Sequence, residues 1–237
     1  MNESEWLACP DPWRMLDFLR GSGNASDRRF RLFAAACYRR VWHLLADPRT
    51  RHAVGVLERL ADGGAPRGEV EQALRGACNA AFEAETLVWD DDLLEARGLA
   101  AGSVYRAFAT DPAGAAGQAR DCCTHAAVAT AGPANEAAAE RAEEVGQCRL
   151  LRDIFGGLFR RPPAFPLHVP AWCGGLAQAA YDNRELPSGH LESSRLAVLA
   201  DALEDAGVSE GGLLDHLRGP GPHVRGCHVL DAISGRG

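Results

Sequence analysis

Lysine is missing: all 25 basic residues of this 237-residue chain are arginine, the mark of a GC-rich coding sequence that pushes Lys codons toward Arg. Strand formers are scarce, with two Ile and three Tyr in the whole chain. The apolar surface is therefore carried by Ala and Leu, which favour helices, and a sheet is not expected. No apolar run approaches the roughly 18 residues needed to span a bilayer. The start, Met1-Asn2-Glu3-Ser4-Glu5-Trp6, is acidic where a signal peptide is basic. A cytoplasmic protein with no membrane partner is expected. CxxC pairs are also absent, and the eight cysteines are spread among Ala and Leu, as reduced thiols used as small hydrophobes are. Excess positive charge is lacking too, since 32 acidic residues outweigh the 25 basic ones for a net charge of -7. Nucleic acid is accordingly not an expected partner.

What is present is helix punctuation. Asp11-Pro12, Asp47-Pro48 and Asp111-Pro112 each read as an N-cap followed by the first helical residue. The first opens a short helix ending at Gly21. Ser26 caps an amphipathic helix of about five turns carrying Phe30, Phe33, Cys37, Val41 and Leu44 on one stripe. The third helix runs to Gly63-Gly64, a fourth from Pro66 to about Val88, and one or two short ones lie between Asp90 and Phe108. The Ala-rich middle, interrupted by Gly114, Gly117 and Gly132-Pro133, has few large side chains and is expected to be the least firmly packed.

A strong helix resumes from Asn135 to Phe155, and the prolines at 162, 163, 166 and 170 then mark an extended connector. Four more helices follow: Ala171 to Tyr181, Glu192 to Ala206, Ser209 to Arg218, and Pro222 to about Ile233. The expected organisation is a helical region over 1–157, a connector over 158–170, and a C-terminal helical region over 171–237 packed with the first. The fold class is all-α, an irregular array of about nine or ten helices in αα-hairpins.

Two sets of motifs stand at the ends. One comprises Glu5-Trp6-Leu7-Ala8-Cys9, Asp11-Pro12, Met15-Leu16, and Ser26-Asp27-Arg28 through Arg39-Arg40 with Trp42-His43. The other comprises Leu151 to Gly156, Leu199 to Gly207, and Gly219-Pro220-Gly221-Pro222-His223-Val224-Arg225-Gly226-Cys227. In these motifs the chain resembles a family of uncharacterised helical proteins expanded in planctomycete genomes, and more loosely the helical repeat-companion modules of the same organisms. That resemblance implies a helical fold and brings no activity or cofactor with it.

The turn from Arg218 to His228 is the most unusual local sequence. If Pro222 starts a helix, free N–H groups near His223 to Arg225 and the guanidinium groups of Arg218 and Arg225 could hold an anion or a partner. A rigid turn between helices is the simpler reading. His223 and Cys227, four apart on that helix, would share a face with His216 nearby, a start toward a zinc site that Cys9 or Cys37 would have to complete. Too few donors are in view, so no metal or other cofactor is expected. A Cys/His nucleophile pair built from Cys37 or Cys227 with His43 or His223 is weaker still, because every cysteine reads easily as core. Arg28, Arg31, Arg39 and Arg40 form a basic face, read as solvated and paired with Asp17, Asp27 or C-terminal acids. The expected function is a non-enzymatic interaction or regulatory module with another protein as partner. The alternative is a ligand- or metal-dependent enzyme centred on Arg218, His223, Arg225 and Cys227.

Overall fold

The computed structural model describes residues 1–23, 25–85, 92–159 and 171–236. Among them the chain forms twelve α-helices and no sheet: α1 (Glu3–Ala8), α2 (Pro12–Ser22), α3 (Asp27–Arg40), α4 (Pro48–Ala61), α5 (Arg67–Glu85), α6 (Asp92–Ala109), α7 (Pro112–Ala131), α8 (Glu136–Phe155), α9 (Ala171–Asp182), α10 (Ser193–Asp205), α11 (Gly211–Arg218) and α12 (His228–Ile233). The all-α class is as expected, with more helices than the nine or ten read from sequence. The additional one at the front is α1, six residues that bury Trp6. None of these helices is long and apolar enough to cross a membrane.

The three Asp-Pro starts are made by cap chemistry. Asp11 accepts from the N–H groups of Trp13 and Arg14, Asp47 from Arg49, and Asp111 from Gly114, each satisfying donors that the first helical turn leaves over. Ends are less legible. Helix α2 runs past Gly21 to close on Gly23, whose φ of 65° is the left-handed cap. The described part of the 90–108 stretch, from Asp92 on, is one helix, α6, and Ser209 is not a cap, since Glu210 precedes α11 without a side-chain bond. The connector falls, over residues 160–170, outside the described residues.

The chain divides into two compact units, one of Met1 with residues 8–148 and one of residues 2–7 with 149–237. In the first, α3 packs against α4 and α7. Nine residues of α3 are buried, among them consecutive Leu32 through Arg39, so it is a central helix and not a one-sided amphipathic one. Helix α7 meets it with Ala115, Ala116, Ala119, Cys123 and Ala126 all buried. The Ala-rich middle is thus not weakly packed there, because small side chains let helix backbones approach. Cys123 Sγ reaches the Cys37 carbonyl at 3.0 Å and Tyr38 donates to the Ser103 carbonyl at 2.8 Å.

The second unit has its own core, including Tyr181, Leu196, Leu199, Leu203, Leu217, Cys227 and Leu230 from α9 to α12. Trp6 belongs to this unit, its carbonyl accepting from Arg152 and its ring 6.2 Å from that of Phe159.

Candidate metal centre

Within the second unit, the chain between α11 and α12 does not continue as helix from Pro222. Val224 makes an isolated antiparallel bridge with His190, and Leu191 donates its N–H to the His223 carbonyl at 2.8 Å. Gly221 and Gly226 take φ of 73° and 95°, and the Gly221–Pro222 peptide is cis. A Cβ on Gly221 would lie 2.7 Å from the His223 nitrogen, so the turn requires glycine there. His223 and Cys227 are consequently not four apart on one helix: His223 sits in this loop and Cys227 is the N-cap residue of α12.

They converge nonetheless. Asp153 from the last turn of α8, His216 from the last turn of α11, His223 and Cys227 each offer a donor atom, and the four atoms lie within 4.8 Å of one another. Asp153 Oδ1 is 3.1 Å from His216 Nε2 and 2.9 Å from His223 Nδ1, and His216 Nε2 is 3.3 Å from Cys227 Sγ. A tetrahedral zinc with bonds of about 2.0–2.3 Å separates its ligand atoms by about 3.3–3.7 Å, so the close pairs would open slightly and the wider ones, within 4.8 Å, would draw in. Asp153, His223 and Cys227 are buried, and the His216 side chain is 22% exposed.

The surroundings organise each donor. Asp153 Oδ2 accepts the Val224 N–H at 2.9 Å, leaving Oδ1 to face the histidines. On the far side of the His223 ring, Nε2 faces the Gly219 carbonyl at 3.4 Å, an arrangement that places a proton on Nε2 and frees Nδ1 for a metal. Burial alone would raise the Asp153 carboxyl, but its bonds to His216 and His223 outweigh it and hold the group down to about 2. Burial likewise works against charge on His223, yet the bond to Asp153 and its negative charge raise that imidazole overall. The Cys227 thiol is pushed well up, by burial first and then by the nearby Asp153 charge. A divalent cation inverts that last balance: with one carboxylate, one thiolate and two neutral imidazoles the site sums to zero charge, the condition under which ions are tolerated in a low-dielectric interior.

The anion-cradle reading of the turn does not survive the geometry, because residues 222–227 are not a helix N-terminus. Arg218 reaches instead to Asp201 and Glu204, and Arg225, half-buried, is not one of the four donors. Cys9 and Cys37 do not complete the set either; Asp153 does. A nucleophilic Cys227 is disfavoured by full burial and a raised thiol. No local motif marks Asp153 as a ligand, although a carboxylate among Leu150, Leu151, Ile154 and Phe155 is a buried charge that needs partners.

The arginines of the basic face find partners within the first unit. Arg28 pairs with Asp62, Arg39 grips Glu58 through two bonds of 2.6 and 2.8 Å, and Arg40 does the same with Glu143. Arg31 is half-buried. These pairs differ from the Asp17, Asp27 and C-terminal partners expected from the sequence, and charge neutralised in this way does not make a phosphate-binding face. No protein-family model, no curated protein and no solved structure matches this chain.

Proposed function

We propose that the chain is a non-enzymatic helical module of the cytoplasm, acting through contacts with another protein, whose second unit is closed by one structural Zn(II) ion on Asp153, His216, His223 and Cys227. The observation that carries this reading is the convergence of four donor atoms from α8, α11, the intervening loop and the start of α12 within 4.8 Å. Thiolate and imidazole together suit zinc among the common divalent ions, and carboxylate completes the set. A catalytic zinc keeps a position for water or substrate, whereas here four protein donors are at hand for the four positions of a tetrahedral ion and three of them are buried. Contact with a partner is favoured by large apolar side chains left exposed on the second unit, Trp172, Leu186 and Val198. Membership in the planctomycete family is part of the same proposal and rests on the terminal motifs.

Elemental analysis of protein purified under reducing conditions tests it. Wild type is expected to carry close to one zinc per chain, and the double variant His223→Ala, Cys227→Ala to carry none. Wild-type protein that neither retains zinc nor takes up added Zn(II) or Co(II) overturns the reading.

A further inference from the structure

We infer that His228 is a positioning residue for the four-donor site, and that Gly156 is glycine to admit it. The inference rests on reading Asp153, His216, His223 and Cys227 as the ligands of one ion, and it assigns what holds two of them in place. Helix α8 ends at Phe155, so the carbonyls of its last turn have no N–H partner along the helix. The carbonyl of Asp153 is one of these, and His228 Nδ1 lies 2.9 Å from it. A carbonyl can only accept, so the proton sits on Nδ1. The same imidazole rests edge-on against the His216 ring, with centroids 4.4 Å apart at 61°. One side chain therefore touches the backbone of the first ligand and the ring of the second, and it follows the fourth, Cys227, directly in the chain.

The space it occupies is taken from α8. A Cβ built on Gly156 would stand 2.6 Å from His228 Cε1 and 2.8 Å from its Nδ1, besides crowding the Arg152 carbonyl at 2.5 Å. Any other residue at 156 displaces the imidazole from the turn that carries Asp153. His228 is not itself one of the four donors; it acts through them. His216 gains most from such support, because it is the most exposed of the four and its ring is held between those of His223 and His228. Partners of this outer kind typically contribute 10–100-fold to metal affinity.

The test is Co(II) titration of the full chain in competition with a chelator, following the ligand-field and thiolate charge-transfer bands, with far-ultraviolet dichroism on each variant. His228→Ala is expected to weaken Co(II) binding by about 10–100-fold and to alter the ligand-field bands. His228→Asn, whose amide can donate from nearly the same position as Nδ1, is expected to recover most of the affinity. Gly156→Ala is expected to reproduce the loss with every histidine present, but because its Cβ also crowds the Arg152 carbonyl, His228→Asn decides the matter if His228→Ala loses its helical signal. His228→Ala and Gly156→Ala variants that bind Co(II) with wild-type affinity and spectrum overturn the positioning role while leaving the metal site standing. Wild type that binds no ion overturns the site, and this inference with it.

Discussion

The carboxylate of Asp153 takes the backbone N–H of Val224 on one oxygen at 2.9 Å and the imidazole of His223, the preceding residue, on the other at 2.9 Å. One buried acid on α8 thereby fixes both the main chain and the side chain of the loop between α11 and α12. The loop is short and rich in glycine and proline, and a second tie to its unit is the pairing with His190 and Leu191, whose N–H reaches the His223 carbonyl at 2.8 Å. Loop order and ligand geometry thus depend on the same residue.

Asp153→Asn is the corresponding prediction. The amide keeps the shape but removes the charge that balances a divalent ion, so zinc content should fall from near stoichiometric to near zero. It also leaves two histidines facing a weaker acceptor, and removing a charged hydrogen-bond acceptor from buried partners costs about 1–3 kcal/mol. Elemental analysis and chemical denaturation of the variant beside wild type, each with and without added zinc, separate the two effects. Zinc retained by the Asp153→Asn protein would exclude the carboxylate as a ligand.

The metal-free protein should show its own pH signature. The Asp153 carboxyl is held at about 2, so its contribution is present above the ordinary carboxylate range, about 4, and fades as pH falls toward 2. His223 is raised, so its contribution is full below the ordinary imidazole value of about 6.5 and is lost as pH rises through the folded value. The two overlap between about pH 4 and 6.5. In chelator-treated samples the difference in Tm between wild type and Asp153→Asn should be largest there and shrink on both sides. Zinc reverses the upper limb, because ligands must lose protons to bind, and its stabilisation should grow from about pH 5 to 8. A difference that stays flat across the range would count against the pairing.

In the first unit, Arg39 and Glu58 form a doubly bonded pair with side chains 6% and 5% exposed. Breaking a buried pair by removing one partner costs about 3–5 kcal/mol. Arg39→Met and Glu58→Leu should each destabilise by about that amount, whereas the double variant should recover much of the loss. Urea unfolding of the four proteins measures the coupling. Strict additivity would mean that the pair is hydrated in solution.

How much of this is legible in the sequence follows the range of the physics. Asp11, Ser26, Asp47 and Asp111 announce helix starts because a cap is a contact over three residues. Arg39 reads as solvated because nothing local reveals that α3 is covered on every side. Residues 222–227 read as helix because Pro222 suits a first helical position, whereas the actual course depends on a bridge to His190, more than thirty residues earlier. His216, His223 and Cys227 read as near neighbours, and do meet, though through a loop and not through a helical face. Asp153 and His228 cannot be joined to them without knowing that the end of α8 lies against α12.

Thiol reactivity offers the last check, because it reads burial at eight positions at once. Seven cysteines are buried and Cys78 on α5 is the partly exposed one. Alkylation requires both access and thiolate, and burial withholds both: it shields the sulfur and disfavours its charged form. Cys122, for instance, is pushed up to about 12 by desolvation first and the neighbouring Cys37 second, so the thiol form prevails there at pH 8. Native protein treated with an alkylating reagent at about pH 8 should therefore show one fast thiol, and Cys78→Ser should remove it. The other seven should react together only once denaturant opens the chain. A second fast thiol in zinc-loaded protein, identified as Cys227 by peptide mapping, would show that this sulfur is neither buried nor bound, and would contradict its place among the ligands.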